Sequence, residues 1–570
     1  MFALQIMLSF LSQFRRSDAD RIAAIVVSRG ELQPPIAPSA LLLWRVAFAV
    51  STFLLAMSSA SAQIPGTLDT TFGSGTGKVI LPIGPGLDQA NASAIQPDGK
   101  IVLAGTCRDI NSNEYFCVAR LNPEGSLDST FVGPSGTGNG RFLVPVGSNG
   151  LGKATAMALQ LNGKIILAGY CSNGANYDDF CAARLNVDGT FDTTFGASTG
   201  KILLPIGVGY DQASAVALQS DNKIVVAGTC FDATFSNADF CVARLNVDGS
   251  LDASFVGPSG TATGKFVLPI GTSDDKLNGV AVQASDGKIV LFGTCNNGFP
   301  TDFCVARLHT NGSLDTGFVG PSGTGNGKFL LPIGKTYDYA AAIAIQTDGK
   351  IVLGGYCQGD SGNDFCVARL NVNGAFDSNF VGPNGTVDGK FVLPIGTGTS
   401  ADIATSIALQ PDGKILLAGY CENPNFLSFC LVRLRGDGTR DTSFVGTAGT
   451  GKALLPIGAY NNNASAIALQ SDGKVVLAGS CGDNPATSSN VDFCVARLNG
   501  GPVGIAGCSL DLDGDGLTTA TVDGLIATRV MLDLRGPTVI AGINFPVNAT
   551  RNSWPAISQY LVSQCGLNVY

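Results

Sequence analysis

The sequence predicts an all-β protein: a seven-bladed β-propeller of four-stranded antiparallel blades, followed by a small α-helical module at the C-terminus. Three observations lead there. First, one motif is written seven times: Asp-Gly-Lys-Ile-Val-Leu-Ala-Gly-x-Cys, a short variable loop, then Asp-Phe-Cys-Val-Ala-Arg-Leu-Asn. Its shared lysine falls at Lys100, Lys164, Lys223, Lys288, Lys350, Lys414 and Lys474. The spacing of about 60 residues is that of a supersecondary unit that must stack on its neighbours to bury a core. Second, 14% of the 570 residues are charged and 74 are glycine. With abundant Val, Ile and Thr, this composition reads as many short strands joined by tight turns. Third, the repeat stops after Asn499 and a segment with helical patterning follows.

The N-terminus reads as an address. Residues 46–57 form an apolar run preceded by Arg45, and Ala60-Ser61-Ala62 fits the small-x-small rule for signal cleavage. Residues 1–62 are therefore assigned to an N-terminal extension and signal peptide. The run is short for a bilayer span, so no stable membrane span is expected after cleavage. The expected location is secreted or cell surface. A net charge of −9 argues against nucleic acid as a partner.

Each copy within residues 63–503 holds four strand-like runs. In the second copy these are residues 140–147, 154–160, 164–169 and 180–186. A Gly-Lys or Asp-Gly-Lys turn between the second and third supplies a hairpin. Four antiparallel strands repeated seven times is the pattern of propeller blades. Small residues alternate in the run before the turn, as in Ala90, Ala92 and Ala94, and suit the crowded innermost strand, A. Strands B and C follow. The last run, D, carries a proline (Pro82, Pro145, Pro205, Pro269, Pro332, Pro394, Pro456), which is tolerated at a sheet edge. The chain opens with a D-type run and its last repeat ends with a C-type run. The N-terminal strand should therefore complete the last blade and close the ring.

Sixteen cysteines fit an exported chain and are all expected to form disulfides. Fourteen fall one pair per copy: Cys107 with Cys117, Cys171 with Cys181, Cys230 with Cys241, Cys295 with Cys304, Cys357 with Cys366, Cys421 with Cys430, and Cys481 with Cys494. The last two are Cys508 and Cys565. In each copy the first lies at the end of strand B and the second near the start of strand C, where an antiparallel hairpin sets them face to face. No pair has the close spacing of a zinc site, and the one histidine is His309.

The repeat resembles the delta-60 repeat, a bacterial family of propeller-like units. The matching residues are Leu127, Asp128 and Phe131 of Leu-Asp-x-x-Phe, then Gln-x-Asp-Gly-Lys-Ile-Val-x-x-Gly, then Asp-Phe-x-x-Ala-Arg-Leu-Asn-x-Asp-Gly. The resemblance spans about residues 66 to 500 and implies the fold, not a chemistry. The cysteine pair is an addition to the family's pattern.

Repetition also sorts candidate site residues. Arg120, Arg184, Arg244, Arg307, Arg369, Arg433 and Arg497 recur in strand C, and Asp69, Asp128, Asp192, Asp252, Asp315, Asp377 and Asp441 recur in the Leu-Asp turn. They read as ties between strands and turns, since buried charges are normally paired. The loops between the cysteines vary instead, and carry Tyr115, Tyr177, Phe231, Phe235, Phe299 and Phe426 among polar residues. They are the candidate surface for a protein or glycan ligand. No G-x-S-x-G elbow, H-E-x-x-H or P-loop lysine is present.

Residues 504–570 form the last expected domain. Asp511, Asp513 and Asp515 alternate, with Gly516 at the sixth position, the Leu517 carbonyl at the seventh and Thr519 at the ninth. This is the opening of an EF-hand-type loop whose oxygen ligands suit one Ca2+ ion. The closing acid is Asp523, at position thirteen instead of twelve. Helices are expected over 523–534 and 554–564. The segment resembles the calcium-binding half of a dockerin repeat, and a Cys508–Cys565 bridge would join its ends.

The reading is an exported, monomeric binding or structural scaffold with a calcium-stabilised tail. Its alternatives are a carbohydrate-active propeller enzyme using loop carboxylates, and an adhesin or envelope component without a small-molecule ligand.

Overall fold

A computed structural model describes residues 64–501 except 175–176, 299, 360–361, 384, 386, 396–400, 424–425, 445–449 and 483–490, and residues 512–513, 522–531, 534, 536–546 and 549–563 of the tail. The expected N-terminal extension and signal peptide, residues 1–62, lie outside the described residues. Residues Gln63–Pro502 form one compact unit, and the tail from Val503 belongs to another.

The repeats fold into seven four-stranded sheets. Blade 1 runs β2 (Asp88–Ile95), β3 (Ile101–Arg108), β4 (Glu114–Leu121) and β5 (Arg141–Val144), paired in that order and antiparallel. The order A-B-C-D is thus the chain order. The A strands of successive blades pack on one another all the way round, the seventh against the first. They form the inner wall, and the D strands are outermost.

Closure uses the N-terminus. β1 (Lys78–Leu81) pairs antiparallel with strand C of blade 7 (Val491–Leu498), placing Lys78 opposite Ala496. Upstream, Gly66 and Asp69 donate their N–H groups to the carbonyls of Asn499 and Arg497 at 2.7 and 2.8 Å. One buried core accordingly mixes Phe72 and Leu81 with blade 7 (Val476, Phe493) and blade 1 (Leu103, Ala119). The other ring cores likewise lie between adjacent blades, as where Val118 and Phe131 meet Ile165 and Leu185. No blade has a complete core alone, which is why the ring must close.

Two details differ from the sequence reading. Strand D is four residues long and stops before its proline (β5 ends at Val144, ahead of Pro145), because proline has no N–H for the ladder. Strand A does not alternate smoothly. Ala90 pairs with Gly105 and Ala92 with Ala104, so Asn91 is bulged out. The same shift occurs in all seven blades. The bulge brings the A-strand backbone so close that a Cβ on Gly105 would lie 1.8 Å from the Gln89 carbonyl oxygen. Glycine is required there, which explains its place in every copy.

In the tail, α1 (Asp523–Met531) and α2 (Trp554–Ser563) are joined through a 3₁₀ turn at Gly536–Val539. Ile526, Val539, Ile557 and Leu561 make a small shared core. α1 ends three residues before its expected limit. Arg529, in its last turn, donates to the carbonyls of Val539 and Ala541 at 3.0 and 2.7 Å. Among the described residues no helix is long and apolar enough to cross a membrane.

Candidate functional site at the disulfide rim

The hairpins give the ring two unlike rims. One carries the Gln-x-Asp-Gly-Lys turns between strands A and B, and with them the repeated Arg and Asp. Each strand-C arginine donates from Nε to the aspartate of the Leu-Asp turn, at 2.5 to 2.9 Å in all seven cases. Arg120 also donates from Nη1 to the carbonyl of Val187 in the next blade. Its guanidinium lies 4.3 Å from the centroid of the fully buried Phe131 ring. These charges therefore join blade to blade and are not an open ring around the channel. Burial alone would push the Asp128 pKa up, yet the Thr130 hydroxyl and N–H, Lys100 and Arg120 hold it down at about 2. His309 belongs to the same rim and closes a turn, its carbonyl accepting from Gly312 N–H at 2.9 Å.

The other rim carries the disulfides. All seven expected ring pairs are bonded: Cys107 to Cys117, Cys171 to Cys181, Cys230 to Cys241, Cys295 to Cys304, Cys357 to Cys366, Cys421 to Cys430, and Cys481 to Cys494. Their Cα atoms are 5.7 to 6.0 Å apart. The pairing is as expected, but its geometry corrects the face-to-face placement. In every blade the two cysteines are diagonal, not directly opposite. Cys107 faces Tyr115, and Cys117 faces Gly105. Likewise Cys181 faces Gly169, Cys241 faces Gly228, Cys304 faces Gly293, Cys366 faces Gly355, Cys430 faces Gly419 and Cys494 faces Gly479. The right-handed twist of the paired strands shortens that diagonal enough for a bridge. Cys508 and Cys565 lie outside the described residues.

Several buried carboxylates on this rim behave differently from those opposite, although Glu114, against its burial, is held low by pairing with Lys153 and Arg108. Asp211 is fully buried and accepts only the N–H groups of Ile206 and Gly207, at 2.6 and 2.9 Å. Burial, with the negative charge of Asp179 added, pushes it up to about 6. Asp275 is raised to about 6 in the same way, by burial and then Asp239. Asp302 is also raised to about 6, by burial and then Asp338. Asp88 and Asp338 are raised too, chiefly by burial. The same arrangement recurring from blade to blade marks these groups as parts of the scaffold.

What does not repeat is aromatic. Of eleven tyrosines in the chain, nine lie in the ring: Tyr115, Tyr170, Tyr177, Tyr210, Tyr337, Tyr339, Tyr356, Tyr420 and Tyr460. Each sits in a cysteine loop or within two residues of a cysteine or its cross-strand partner, so all nine gather on the disulfide rim. Tyr177, Tyr210 and Phe235 touch one another, with ring centroids 5.2 to 5.7 Å apart. Phe235 is held there at φ +56° by a turn in which Asp232 accepts from the N–H groups of Thr234 and Ser236. Tyr339 stacks on Tyr356 at 4.9 Å, and Phe426 meets Tyr460 edge-on at 5.3 Å.

Tyr177 and Phe235 lie in the variable loops as expected, whereas Tyr115 and Phe426 fall at the start of strand C and Phe231 at the end of strand B in their blades, and Phe299 lies outside the described residues. Tyr170, Tyr210, Tyr337, Tyr339, Tyr356, Tyr420 and Tyr460 were missed because they sit in or beside strands. Their signal was a broken repeat: Tyr170, Tyr356 and Tyr420 stand where other copies have Thr or Ser. Of the tail residues proposed for Ca2+, Asp511, Asp515, Leu517 and Thr519 lie outside the described residues. Asp513 and Asp523 are buried, and Asp523 Oδ1 accepts from the N–H groups of Leu512 and Asp513 at 2.6 and 3.1 Å.

Seven segments of the chain match a family model described as a domain of unknown function (DUF5122) beta-propeller: residues 96–131, 160–195, 219–255, 284–318, 346–380, 410–444 and 470–500. No curated protein matches the chain. Among solved structures, a streptogramin B lyase is 12% identical, with a TM-score of 0.39, covering 74% of this chain and 97% of its own. The polysaccharide lyase Uly1 is 10% identical, with a TM-score of 0.38, covering 72% of this chain and 90% of its own. Sqt1 from Chaetomium thermophilum is 14% identical, with a TM-score of 0.31, covering 61% of this chain and 69% of its own. Likenesses this distant say nothing about what this chain does. With one matching segment in every blade, the chain is a seven-bladed β-propeller repeat protein whose repeats are similar to the DUF5122 model.

Proposed function

We propose that this protein is an exported binding scaffold whose contact face is the disulfide rim. One observation carries the reading: all nine tyrosines of the ring gather on that rim, where the repeat is least regular. Tyrosine offers an apolar ring and a hydroxyl at low conformational cost, which is why it concentrates at recognition surfaces. The opposite rim spends its side chains on ties between blades. Seven disulfides support an oxidising, extracytoplasmic setting. The enzyme alternative gains no particular residue, since the raised carboxylates recur around the ring.

Glycan and peptide arrays probed with the mature chain test the contact face. Tyr177→Ala and Phe235→Ala should change the binding profile, and Val187→Ser and Val247→Ser on the opposite rim should not. The reverse outcome would move the contact face to the other rim.

For the tail we infer one Ca2+ ion held by Asp511, Asp513, Asp515, the Leu517 carbonyl, Thr519 and Asp523. Its support is the ligand spacing, together with the Asp523 bonds that join the start of the loop to the start of α1. Bound there, the ion would neutralise the clustered carboxylates and hold the loop against the helix. Calorimetric titration with CaCl2 should show one site, lost in Asp515→Asn. Absence of binding at about 1 mM, the weak end for extracellular loops, would refute it.

A further inference from the structure

The bulged residues of strand A lace neighbouring blades together around the axis. Asn91 donates from Nδ2 to the Ala154 carbonyl at 2.7 Å, Thr155 from Oγ1 to Ala213 at 2.7 Å, and Thr405 from Oγ1 to Ala464 at 2.8 Å. Only these three of the seven bulges make such a bond among the described residues; Ser214 of blade 3 and Ser465 of blade 7 make none, and neither do the bulges of blades 4 and 5. Asn278 occupies the bulge of blade 4 but makes no such bond among the described residues, and Ala341 in blade 5 has no polar atom to make one. Where blades 4, 5 and 6 meet, on the disulfide side, lies a cavity of about 640 Å³ lined by both residues.

Its other walls are chemically mixed. The stacked pair Tyr339 and Tyr356 forms an aromatic side. Lys276, Asn278 and Asn296 bring an ammonium and two amides, and Lys276 makes no ion pair among the described residues. Thr301 also lines the cavity, and its hydroxyl is buried from solvent without a hydrogen-bond partner. A buried hydroxyl left unsatisfied costs free energy unless a ligand or water meets it.

We propose that this cavity is a carbohydrate subsite that takes a neutral sugar unit of an oligosaccharide. The proposal rests on the disulfide rim being the contact face. A pyranose has a C–H face that packs on an aromatic ring and a rim of hydroxyls that pair with amides, an ammonium and a hydroxyl. A wholly apolar ligand would leave those polar groups desolvated and unpaired. An anionic sugar meets Asp274 in the wall, with Asp275 and Asp302 close in sequence to lining residues and Lys276 the one lining cation. Charge complementarity therefore favours a neutral ligand.

The test is isothermal titration of the mature chain with cellohexaose, xylohexaose, mannohexaose and chitohexaose, and with hexagalacturonate as the anionic comparison. At least one neutral hexaose should bind one-to-one. Tyr339→Ala and Asn278→Ala should each weaken it roughly tenfold or more, while Val247→Ser on the opposite rim leaves it unchanged. Ala341→Asn is the decisive variant. It should restore the lacing by reaching the Ala404 carbonyl, fill the cavity and abolish binding, with thermal stability kept or raised. No heat from any neutral hexaose up to about 10 mM, or a preference for hexagalacturonate, would overturn the proposal. Binding lost in Phe235→Ala but kept in Tyr339→Ala would overturn the cavity assignment and leave the contact face standing. Binding insensitive to every variant on this rim would overturn both.

Discussion

The two rims of the ring bury the same residue to opposite effect. On the turn rim, Asp128 lies among Thr130, Lys100 and Arg120, and its carboxylate is held ionised down to about pH 2. On the disulfide rim, Asp211 is just as buried but meets two backbone N–H groups and a second carboxylate, and its proton leaves only near 6. Burial by itself disfavours the charged form in both places. What separates the rims is whether compensating charge and hydrogen bonds are supplied. The turn rim is built as a set of charge-assisted rivets. The disulfide rim is held covalently, and its polar groups are less fully committed. A surface needed for contact is more easily varied where its integrity rests on disulfides than where each side chain is a rivet.

The largest effect should come from pulling a rivet. Arg497→Ala takes from buried Asp69 one of its two cations, leaving Lys474 at 3.3 Å, at the seam where β1 closes the ring. Taking a partner from a buried charge of this kind is expected to lower stability by about 3–5 kcal/mol in urea unfolding. A loss under about 1 kcal/mol would erase the distinction between the rims. The disulfide side should respond less to a single removal. Cys357→Ser with Cys366→Ser opens a short loop and is expected to remove about 2–3 kcal/mol.

Acidity should divide the rims further. Asp211, Asp275 and Asp302 ionise near 6 in the folded chain, above their ordinary 3.8. The folded state therefore holds their protons more tightly than the unfolded chain. Their contribution is fully present below about pH 4 and is lost as pH rises through 6. Asp128 works the other way: its folded value is lowered, so its contribution is present above 3.8 and lost as pH falls through 2. Thermal unfolding followed from about pH 4 to 6.5 should show a falling midpoint that levels off above about 7, and a midpoint that rises across that window would contradict the assignment. The smallest expected change is Asp211→Asn, which should raise the midpoint at pH 8 by about 2 °C and flatten the pH profile. Blade 7 already carries this solution. Asn462 stands at the equivalent place, accepts from Gly458 N–H at 2.7 Å and donates to the Tyr460 carbonyl at 2.6 Å.

Much of this was legible in the residues. The blade count, the strand order A-B-C-D, the N-terminal clasp, the one-pair-per-blade disulfides and the Arg–Asp ties all followed from a motif written seven times. Each is a local or nearest-neighbour relation, and repetition prints such relations again and again. The bulge in strand A was not legible, because Ala90-Asn91-Ala92 reads as plain alternation until Gly105 is seen pressed against the Gln89 carbonyl. The tyrosine face was half legible, since loop aromatics stand out in a polar stretch while Tyr339 and Tyr356 pass for ordinary strand residues.

The sequence by itself determined the ring, its closure and the chemistry of its joints, because those depend on residues that recur at a set spacing. Only the tertiary structure decided which rim gathers the residues that do not recur, and which bulges lace the inner wall. The Tyr339–Tyr356 stack lies within one hairpin, but the wall around it joins Lys276 and Asn278 of blade 4 to Ile403 and Thr405 of blade 6. No spacing along the chain encodes that meeting; it exists because seven sheets converge on one axis and set side chains from distant repeats within contact distance.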